Sequence, residues 1–259
     1  MVFRIYLTGE PSLLTAGALI RADRLPRRQG RLAFAFLVSE RACPVPRDEL
    51  ADVLWPEGPP PAHEVALSAV VSKLRALLTE AGVDRPASSA AGGCYRLQLP
   101  AAAWIDTEAA HESVHEAEAA LRSGAHAQAY GPAVVAAAIL RRPFLPGADG
   151  HWIERRRDAL RQLLVRALDV LAEVHAGNRE PALALRVAEQ AVSLEPFRES
   201  GYRRLMRLHG ATGDRAEALR VYDRCRRLLA EELGAAPSPE TEALMAEVGG
   251  NLCGSRPTP

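Results

Sequence analysis

The first hundred residues combine short strand-like and helix-like patterns. Apolar and polar residues alternate from Val2 to Leu7, which is typical of a half-buried β-strand. Two short apolar segments follow, separated by Pro11 and Gly17, and predict a small antiparallel sheet with the first strand. The further predicted elements are strands at Ser12–Thr15 and Ala18–Arg21, helices at Arg27–Ser39, Arg47–Trp55 and about Ala62–Thr79, and a hairpin that ends in Cys94–Leu97.

Three helices closed by a hairpin are the outline of a winged helix-turn-helix. The third helix has the clearest pattern, because Leu67, Val71, Leu74 and Leu78 recur at the spacing of one helix face. We therefore predict an α+β winged-helix domain over residues 1–100.

From Pro100 onward the pattern is helical and predicts no strand. The residues Ala184–Val187 recur as Ala218–Val221, an offset of 34 residues. This is the period of the tetratricopeptide helix pair, so we predict an all-α tetratricopeptide-like repeat domain over residues 105–248, with a disordered tail over residues 249–259. The predicted helices are Thr107–Arg122, Gln128–Leu140, Trp152–His175, Pro181–Leu194, Arg198–Gly210, Arg215–Leu233 and Pro239–Glu247.

Composition narrows the class of protein. The 259 residues carry 32 Lys+Arg and 32 Asp+Glu, which excludes a globally basic nucleic-acid binder but leaves room for a local basic surface. The four cysteines form no C-x-x-C pair, so free thiols in a reducing cytosol are expected rather than a zinc knuckle or a disulfide framework. The longest apolar run, Ala133–Leu140, is far shorter than the ~18 residues that span a bilayer. We predict a cytoplasmic protein with no membrane partner.

Several segments of the chain carry a pattern that is specific in its order. The most specific motifs are the Asp48-Glu49-Leu50 and Leu54-Trp55-Pro56 block and the closing Glu231-Glu232-Leu233-Gly234. The full set of segments is Leu25–Arg31, Pro46–Pro56, Val71–Leu78, Tyr95–Leu97, Ala216–Leu219 and Leu228–Gly234. In this order they resemble the SARP family of actinobacterial transcriptional activators, in which an OmpR-like winged helix precedes a bacterial transcriptional activator domain, BTAD.

The resemblance implies a promoter-binding activator of a gene cluster of the secondary-metabolite type. Its third helix would enter the major groove of double-stranded promoter DNA, its hairpin wing would reach the adjacent minor groove, and the complex would help to recruit RNA polymerase. Members commonly bind direct repeats, one protein per repeat, so tandem binding or a homodimer is expected. No cofactor, metal or catalytic step is implied, and we predict that the protein is not an enzyme.

The candidate DNA-binding residues follow from this assignment. The face of the third helix opposite its apolar positions carries few groups that could read bases, and the family often places Arg or His where this chain has Val65, Ala69 and Val70. Two interpretations remain. Either the polar residues suffice for modest specificity, with Ala69 and Val70 on thymine methyl groups, or DNA binding has weakened and the protein depends on a neighbour or on RNA polymerase. The predicted DNA-binding residues are Arg27, Arg28 and Arg31 in the first helix, Ser68, Ser72, Lys73 and Arg75 in the third, and Ser89 and Arg96 in the wing.

Two further functions remain as alternatives. One is a tetratricopeptide-like adaptor whose winged helix is vestigial. The other is a zinc hydrolase, because His111-Glu112-Ser113-Val114-His115 spells H-E-x-x-H and would place two imidazoles on one helix face with Glu112 as the base. Glu108, Glu116 and Glu118 flank this motif, so we favour a solvated helix face. The arginine clusters Arg155–Arg157 and Arg203–Arg204 are likewise interpreted as solvated faces.

Overall fold

The computed structural model describes residues 3–17, 19–21, 23–25, 27–83, 87–90 and 93–250; the side chains of residues 27, 87–90, 249 and 250 are outside the description. The described chain forms two units. The first comprises residues 1–110 and 139–160, and the second comprises residues 111–138 and 161–259. The predicted domain limits at residues 100 and 105 stay a prediction. What the structure adds is that residues 139–160 pack with the N-terminal unit.

The described residues of the first unit form seven strands and three complete helices. In chain order these are β1 (Phe3–Tyr6), β2 (Ser12–Thr15), β3 (Leu19–Arg21), α1 (Arg27–Ser39), β4 (Val45–Pro46), α2 (Arg47–Leu54), α3 (His63–Glu80), β5 (Ala87–Ala90), β6 (Cys94–Leu97) and β7 (Trp104–Ile105).

A four-stranded sheet in the order β3-β2-β1-β7 opens the unit. Strands β1, β2 and β3 pair antiparallel, as the alternating pattern predicts, and Phe3 and Ile5 turn into the core. Strand β7 adds parallel to β1, with Ile5 opposite Ile105. The prediction of no strand beyond Pro100 was therefore wrong at these two residues. A two-residue strand is too short to show an alternation of apolar and polar residues. Strand β7 forms because it pairs with β1, which lies about a hundred residues earlier in the chain.

The helices α1, α2 and α3 pack on a shared core with the second sheet, β4-β6-β5. Every residue of helix α1 from Leu32 to Val38 is apolar, and all seven of these side chains are buried. The second sheet forms the predicted hairpin, in which β5 pairs antiparallel with β6 and Ser89 lies opposite Tyr95. This arrangement is a winged helix, as predicted.

A buried carboxylate closes the first sheet. Asp106 has no exposed surface and accepts hydrogen bonds from the backbone N–H of Leu7 (3.0 Å to each oxygen) and of Thr8 (2.9 Å), and from the Thr8 hydroxyl (2.7 Å). The Arg142 guanidinium lies 3.7 Å from the same carboxylate. Since these donors follow directly after β1, the carboxylate supplies the acceptors that the strand's end would otherwise lack.

Residues 139–160 complete the core of the first unit. Phe144 and Trp152 stack edge to face with ring centroids 5.7 Å apart, and Trp152 stacks in the same way on Phe36 at 5.0 Å. Arg157 fixes this segment by donating to the backbone carbonyls of Phe144, Leu145 and Ala148 at 2.8–3.1 Å.

Seven helices make up the rest of the described chain. They are α4 (Asp106–Arg122), α5 (His126–Leu140), α6 (His151–Gly177), α7 (Pro181–Leu194), α8 (Glu199–Ala211), α9 (Arg215–Leu233) and α10 (Pro239–Gly250). Their limits lie within two residues of the predicted ones, apart from the end of α10. Helix α10 continues through residues 249 and 250, which the sequence assigned to the tail, and residues 251–259 lie outside the described residues. No described helix is long and apolar enough to cross a membrane.

The 34-residue repeat is visible in the burial pattern of the second unit. Ala184 and Ala218 are both fully buried, and Leu171 and Leu205 are buried at the corresponding helix positions. The successive helices α7, α8, α9 and α10 pack on one another. Gly201 lets α8 approach α7 closely, because a Cβ at this glycine would stand 2.9 Å from Val192 Cγ2. Equivalent residues therefore serve equivalent packing roles, as the repeat pattern predicts.

Candidate nucleic-acid interface

Helix α3 buries one face in the core of the first unit and leaves the opposite face in solvent. Leu67, Val71, Leu74, Leu77 and Leu78 are buried at the spacing of one helix face. This anchoring holds the helix rigidly, so that whatever binds its outer face meets a fixed array of side chains.

Two cations flank the outer face of α3. Lys73 and Arg75 are both exposed, and neither makes an ion pair or a hydrogen bond with the residues that the structure describes. At about 100° per residue they lie about 160° apart around the helix axis, one at each edge of the face. Ser68 and Ser72 are exposed between these edges. All four predicted residues of α3 therefore share one accessible surface.

The apolar positions of α3 differ in one respect from the prediction. Val70 is half-buried and packs against the core, so it is not available to a thymine methyl group as one interpretation required. Val65, in contrast, is 73% exposed, and Ala69 is exposed as well. In the helical pattern Val70 lies at the edge of the apolar stripe. Whether its side chain is buried depends on the residues that pack against it, which the pattern does not show.

The arginines at and just before the start of α1 do not form one cluster of contacts. Arg31 is exposed, Arg28 approaches the carbonyl oxygen of Asp149 at 3.5 Å, and Arg24 pairs with Glu80 at the end of α3 at 2.9 Å. The Arg27 side chain lies outside the described residues. The structure thus shows Arg28 and Arg31 at the surface beside the first turns of α1.

The wing contributes one described cation. Tyr95 and Leu97 of β6 are buried, so Arg96 between them faces solvent, where it approaches the Ala42 carbonyl oxygen at 3.4 Å. Ser89 lies on β5, but its side chain is outside the described residues. Arg47, at the first position of α2, was not predicted; its guanidinium stands 5.6 Å from the centroid of the Tyr95 ring. The signal for Arg47 that the sequence offered was its place at the predicted start of the second helix.

The H-E-x-x-H motif lies on an exposed face of α4. The rings of His111 and His115 are adjacent, with centroids 4.5 Å apart, and Glu112 is exposed beside them. Among the described residues no group of three His, Cys, Asp or Glu side chains could hold a metal ion. The two imidazoles therefore lack a third protein ligand within the described chain, and Val114 and Ala117 are the residues that α4 buries here.

Glu118, which flanks this motif, is engaged elsewhere. Both of its oxygens accept hydrogen bonds from Arg166 of α6 at 2.7 Å. These bonds hold the pKa of Glu118 below its ordinary value. Glu118 thus fastens α4 to α6.

The prediction of solvated faces was wrong for three of the five arginines in the clusters Arg155–Arg157 and Arg203–Arg204. Arg157 binds backbone carbonyls, as described above. Arg204 donates to Asp169 at 2.6 Å and to Glu173 at 3.0 Å, and Arg203 donates to the Thr241 hydroxyl at 2.9 Å. These groups lie in neighbouring helices, which a single helix pattern does not place together.

Comparison with known proteins identifies the family. The sequence model of the bacterial transcriptional activator domain matches residues 105–249, more than half of the chain. The chain belongs to this family. The transcriptional regulatory protein EmbR of Mycobacterium tuberculosis is 31% identical over 223 residues, which cover 83% of this chain and 55% of EmbR. The regulatory protein AfsR of Streptomyces griseus is 32% identical over 206 residues, 77% of this chain and 20% of AfsR.

The structural comparison agrees with this membership. The structure of Mycobacterium tuberculosis EmbR in complex with a low-affinity phosphopeptide superposes with a TM-score of 0.81 at 28% identity, over 95% of this chain and 64% of that one. The SARP resemblance and the predicted order of winged helix and helical repeats are thereby confirmed. The chain spans about half the length of the EmbR sequence and a fifth of AfsR. EmbR is a transcriptional regulatory protein and AfsR is a regulatory protein.

Proposed function

We propose that this protein is a sequence-specific, DNA-binding transcriptional activator. The observation that carries the proposal is the outer face of α3, which is rigidly anchored, accessible and flanked by Lys73 and Arg75, two cations without an ion-pair partner among the described residues. It occurs in a chain whose family is that of bacterial transcriptional activators.

The geometry of α3 suits the major groove. A groove about 12 Å wide admits one α-helix, whose central residues meet base edges while residues at its two edges meet the phosphates on either side. Lys73 and Arg75 occupy those two edges. Arg28, Arg31 and Arg96 are further surface cations of the same unit, and together with Arg27 they make six candidate side chains, which we expect to give about four to six phosphate contacts.

The proposal extends to the partners of the complex. Promoter DNA would be held by the first unit, and RNA polymerase would be recruited to the bound protein, in the cytoplasm. Tandem occupancy of direct repeats, or a homodimer, would place two recognition helices on one promoter and raise the affinity of both.

The test is a salt titration of DNA binding by the full chain. Fluorescence anisotropy with a duplex from the gene's own upstream region would be measured between 50 and 200 mM salt. About four to six phosphate contacts predict that affinity falls by roughly two to three orders of magnitude over this range. An affinity that is flat with salt, or equal for a scrambled duplex, would contradict sequence-specific binding.

Two variants locate the interface. Lys73→Ala and Arg75→Ala should each weaken binding and reduce the slope of log affinity against log salt by about 1. Arg186→Ala is the matched control, because Arg186 is an exposed arginine of α7 in the second unit. Binding that survives both α3 substitutions unchanged would show that α3 is not the recognition helix.

A second candidate function is supported by the small side chains on the same face. Because Ser68, Ala69 and Ser72 offer little for base recognition, the winged helix could be vestigial and the chain a protein-interaction adaptor built on its helical repeats. The salt titration distinguishes the two, since an adaptor would show no sequence-dependent DNA binding at any salt concentration.

A further inference from the structure

We propose that α3 reads its site chiefly through the 5-methyl groups of thymine, with Val65 and Ala69 as the residues that determine specificity. This inference rests on the proposed function and concerns the chemistry of the same surface.

The first step is the composition of the face between the two cations. The exposed residues between the edges set by Lys73 and Arg75 are Ser68, Thr79, Ser72, Val65, Ala76 and Ala69, followed by Glu80 at the helix end. Glu80 is paired with Arg24. None of the others has a side chain larger than valine, so this strip can approach the floor of a groove closely.

The second step is what such a strip can recognise. Guanine is usually read by bidentate Arg or Lys, and adenine by bidentate Asn or Gln. Such side chains are absent from the strip, and the two cations lie at its edges, where phosphates stand. The N4 amino group of cytosine is read by Asp or Glu, and Glu80, the acidic residue at the end of the strip, is paired with Arg24. The remaining distinctive feature of a base pair in the major groove is the thymine methyl group, which is read by apolar contact. Ser68 and Ser72 can accept or donate to any base edge and discriminate weakly.

The third step is the exposure of Val65. Val65 lies on the face of α3 opposite the core, where it is 73% exposed, on the first turn of the helix beside Ala69 of the next turn. Isolated exposed apolar residues are common on protein surfaces. Here the residue stands in the centre of the only strip of α3 that can face DNA, and there its methyl groups would be buried against a base.

The test replaces thymine by uracil, which removes the methyl group and leaves base pairing unchanged. The preferred site of the full chain would first be selected from a random duplex library. Each thymine in the site would then be replaced by deoxyuridine, one position at a time, and binding measured by anisotropy. Loss of one buried methyl group should weaken binding about fourfold at each contacted position.

Variants assign the contact to a residue. Val65→Ala should bind the thymine site more weakly and lose sensitivity to uracil at one position, whereas Val65→Ile should keep that sensitivity. Arg75→Ala is the control, since it should weaken binding to thymine and uracil sites equally. Because Val65 is exposed, these substitutions leave the core unchanged.

The outcomes separate the two proposals. Uracil sensitivity that disappears in Val65→Ala supports methyl reading. A selected site that tolerates uracil at every position overturns it while DNA binding stands, and points to the edge cations as base readers. A library that yields no enriched sequence overturns sequence-specific binding itself, and the methyl-reading inference with it.

Discussion

Replacement of Asp106 by alanine should destabilise the first unit severely. The substitution removes every acceptor that the structure provides for the Leu7 and Thr8 backbone N–H groups and leaves both donors buried. A buried donor without a partner costs about 1–3 kcal/mol, and the Thr8 hydroxyl loses a bond to a charged group as well. We expect the free energy of unfolding to fall by about 3–5 kcal/mol, less than the sum of the separate costs because the desolvation of the carboxylate is relieved.

The assay can report on the first unit alone. All three tryptophans, Trp55, Trp104 and Trp152, lie in that unit, so urea unfolding followed by tryptophan fluorescence measures its stability without a contribution from tryptophans elsewhere. Asp106→Asn should cost less, since the amide keeps one oxygen acceptor. Asp52→Ala, at an exposed position of α2, is the control and should change stability by no more than about 0.5 kcal/mol. An Asp106→Ala protein within about 1 kcal/mol of the parent would refute the role assigned to this carboxylate.

Two further predictions concern the second unit and the cysteines. Burial raises the pKa of Cys225 to about 11. Iodoacetamide at pH 8 should therefore modify the exposed Cys43 and spare Cys225 in the native protein, as peptide mass spectrometry would show. Equal labelling of the two cysteines would contradict the burial of Cys225. Gly201→Ala should lower the thermal unfolding temperature, because its Cβ would stand 2.9 Å from Val192. Gly210→Ala in the same helix is the control: its Cβ meets only an ordinary 3.9 Å contact, so the substitution should stabilise the protein by about 0.5–1 kcal/mol. The reverse order of unfolding temperatures would show that α8 can move away from α7.

Most of the fold follows from local patterns. Helices α1, α7 and α9 begin and end at the predicted residues, because each has a clear set of apolar residues and a proline, glycine or capping residue near its ends. Asp214, for example, caps α9 by accepting from the Glu217 N–H, and Gly234 ends the helix with a left-handed backbone. Signals of this kind lie within a few residues of the element that they define, so one sequence is enough to read them.

The parts that could not be predicted depend on distant partners. Strand β7 exists because β1 offers an edge, and Asp106 is buried because Leu7 and Thr8 point to it. The same holds for Arg157 and Arg204, whose acceptors lie on other segments. In a chain rich in arginine, the sequence alone does not distinguish a cation that faces solvent from one that holds two elements together. In the candidate site, the sequence likewise did not show that Val70 packs against the core.

Ion pairs between helices explain how a chain of zero net charge can carry a local basic surface. In the second unit Asp169 binds both Arg198 and Arg204, and Glu118 binds Arg166. Arg198 and Arg166 each bind one carboxylate through two N–H groups, a bidentate geometry that arginine offers and lysine does not, whereas Arg204 divides its bonds between Asp169 and Glu173. Arginines that pair in this way are neutralised and held against the helices, so they add little to the field that DNA would experience. On α3, by contrast, Lys73 and Arg75 make no ion pair with any described residue. The charges of these two side chains therefore remain available to phosphate. Since each phosphate contact contributes separately to affinity, we expect a single copy to bind weakly at physiological salt and two copies on adjacent repeats to bind effectively.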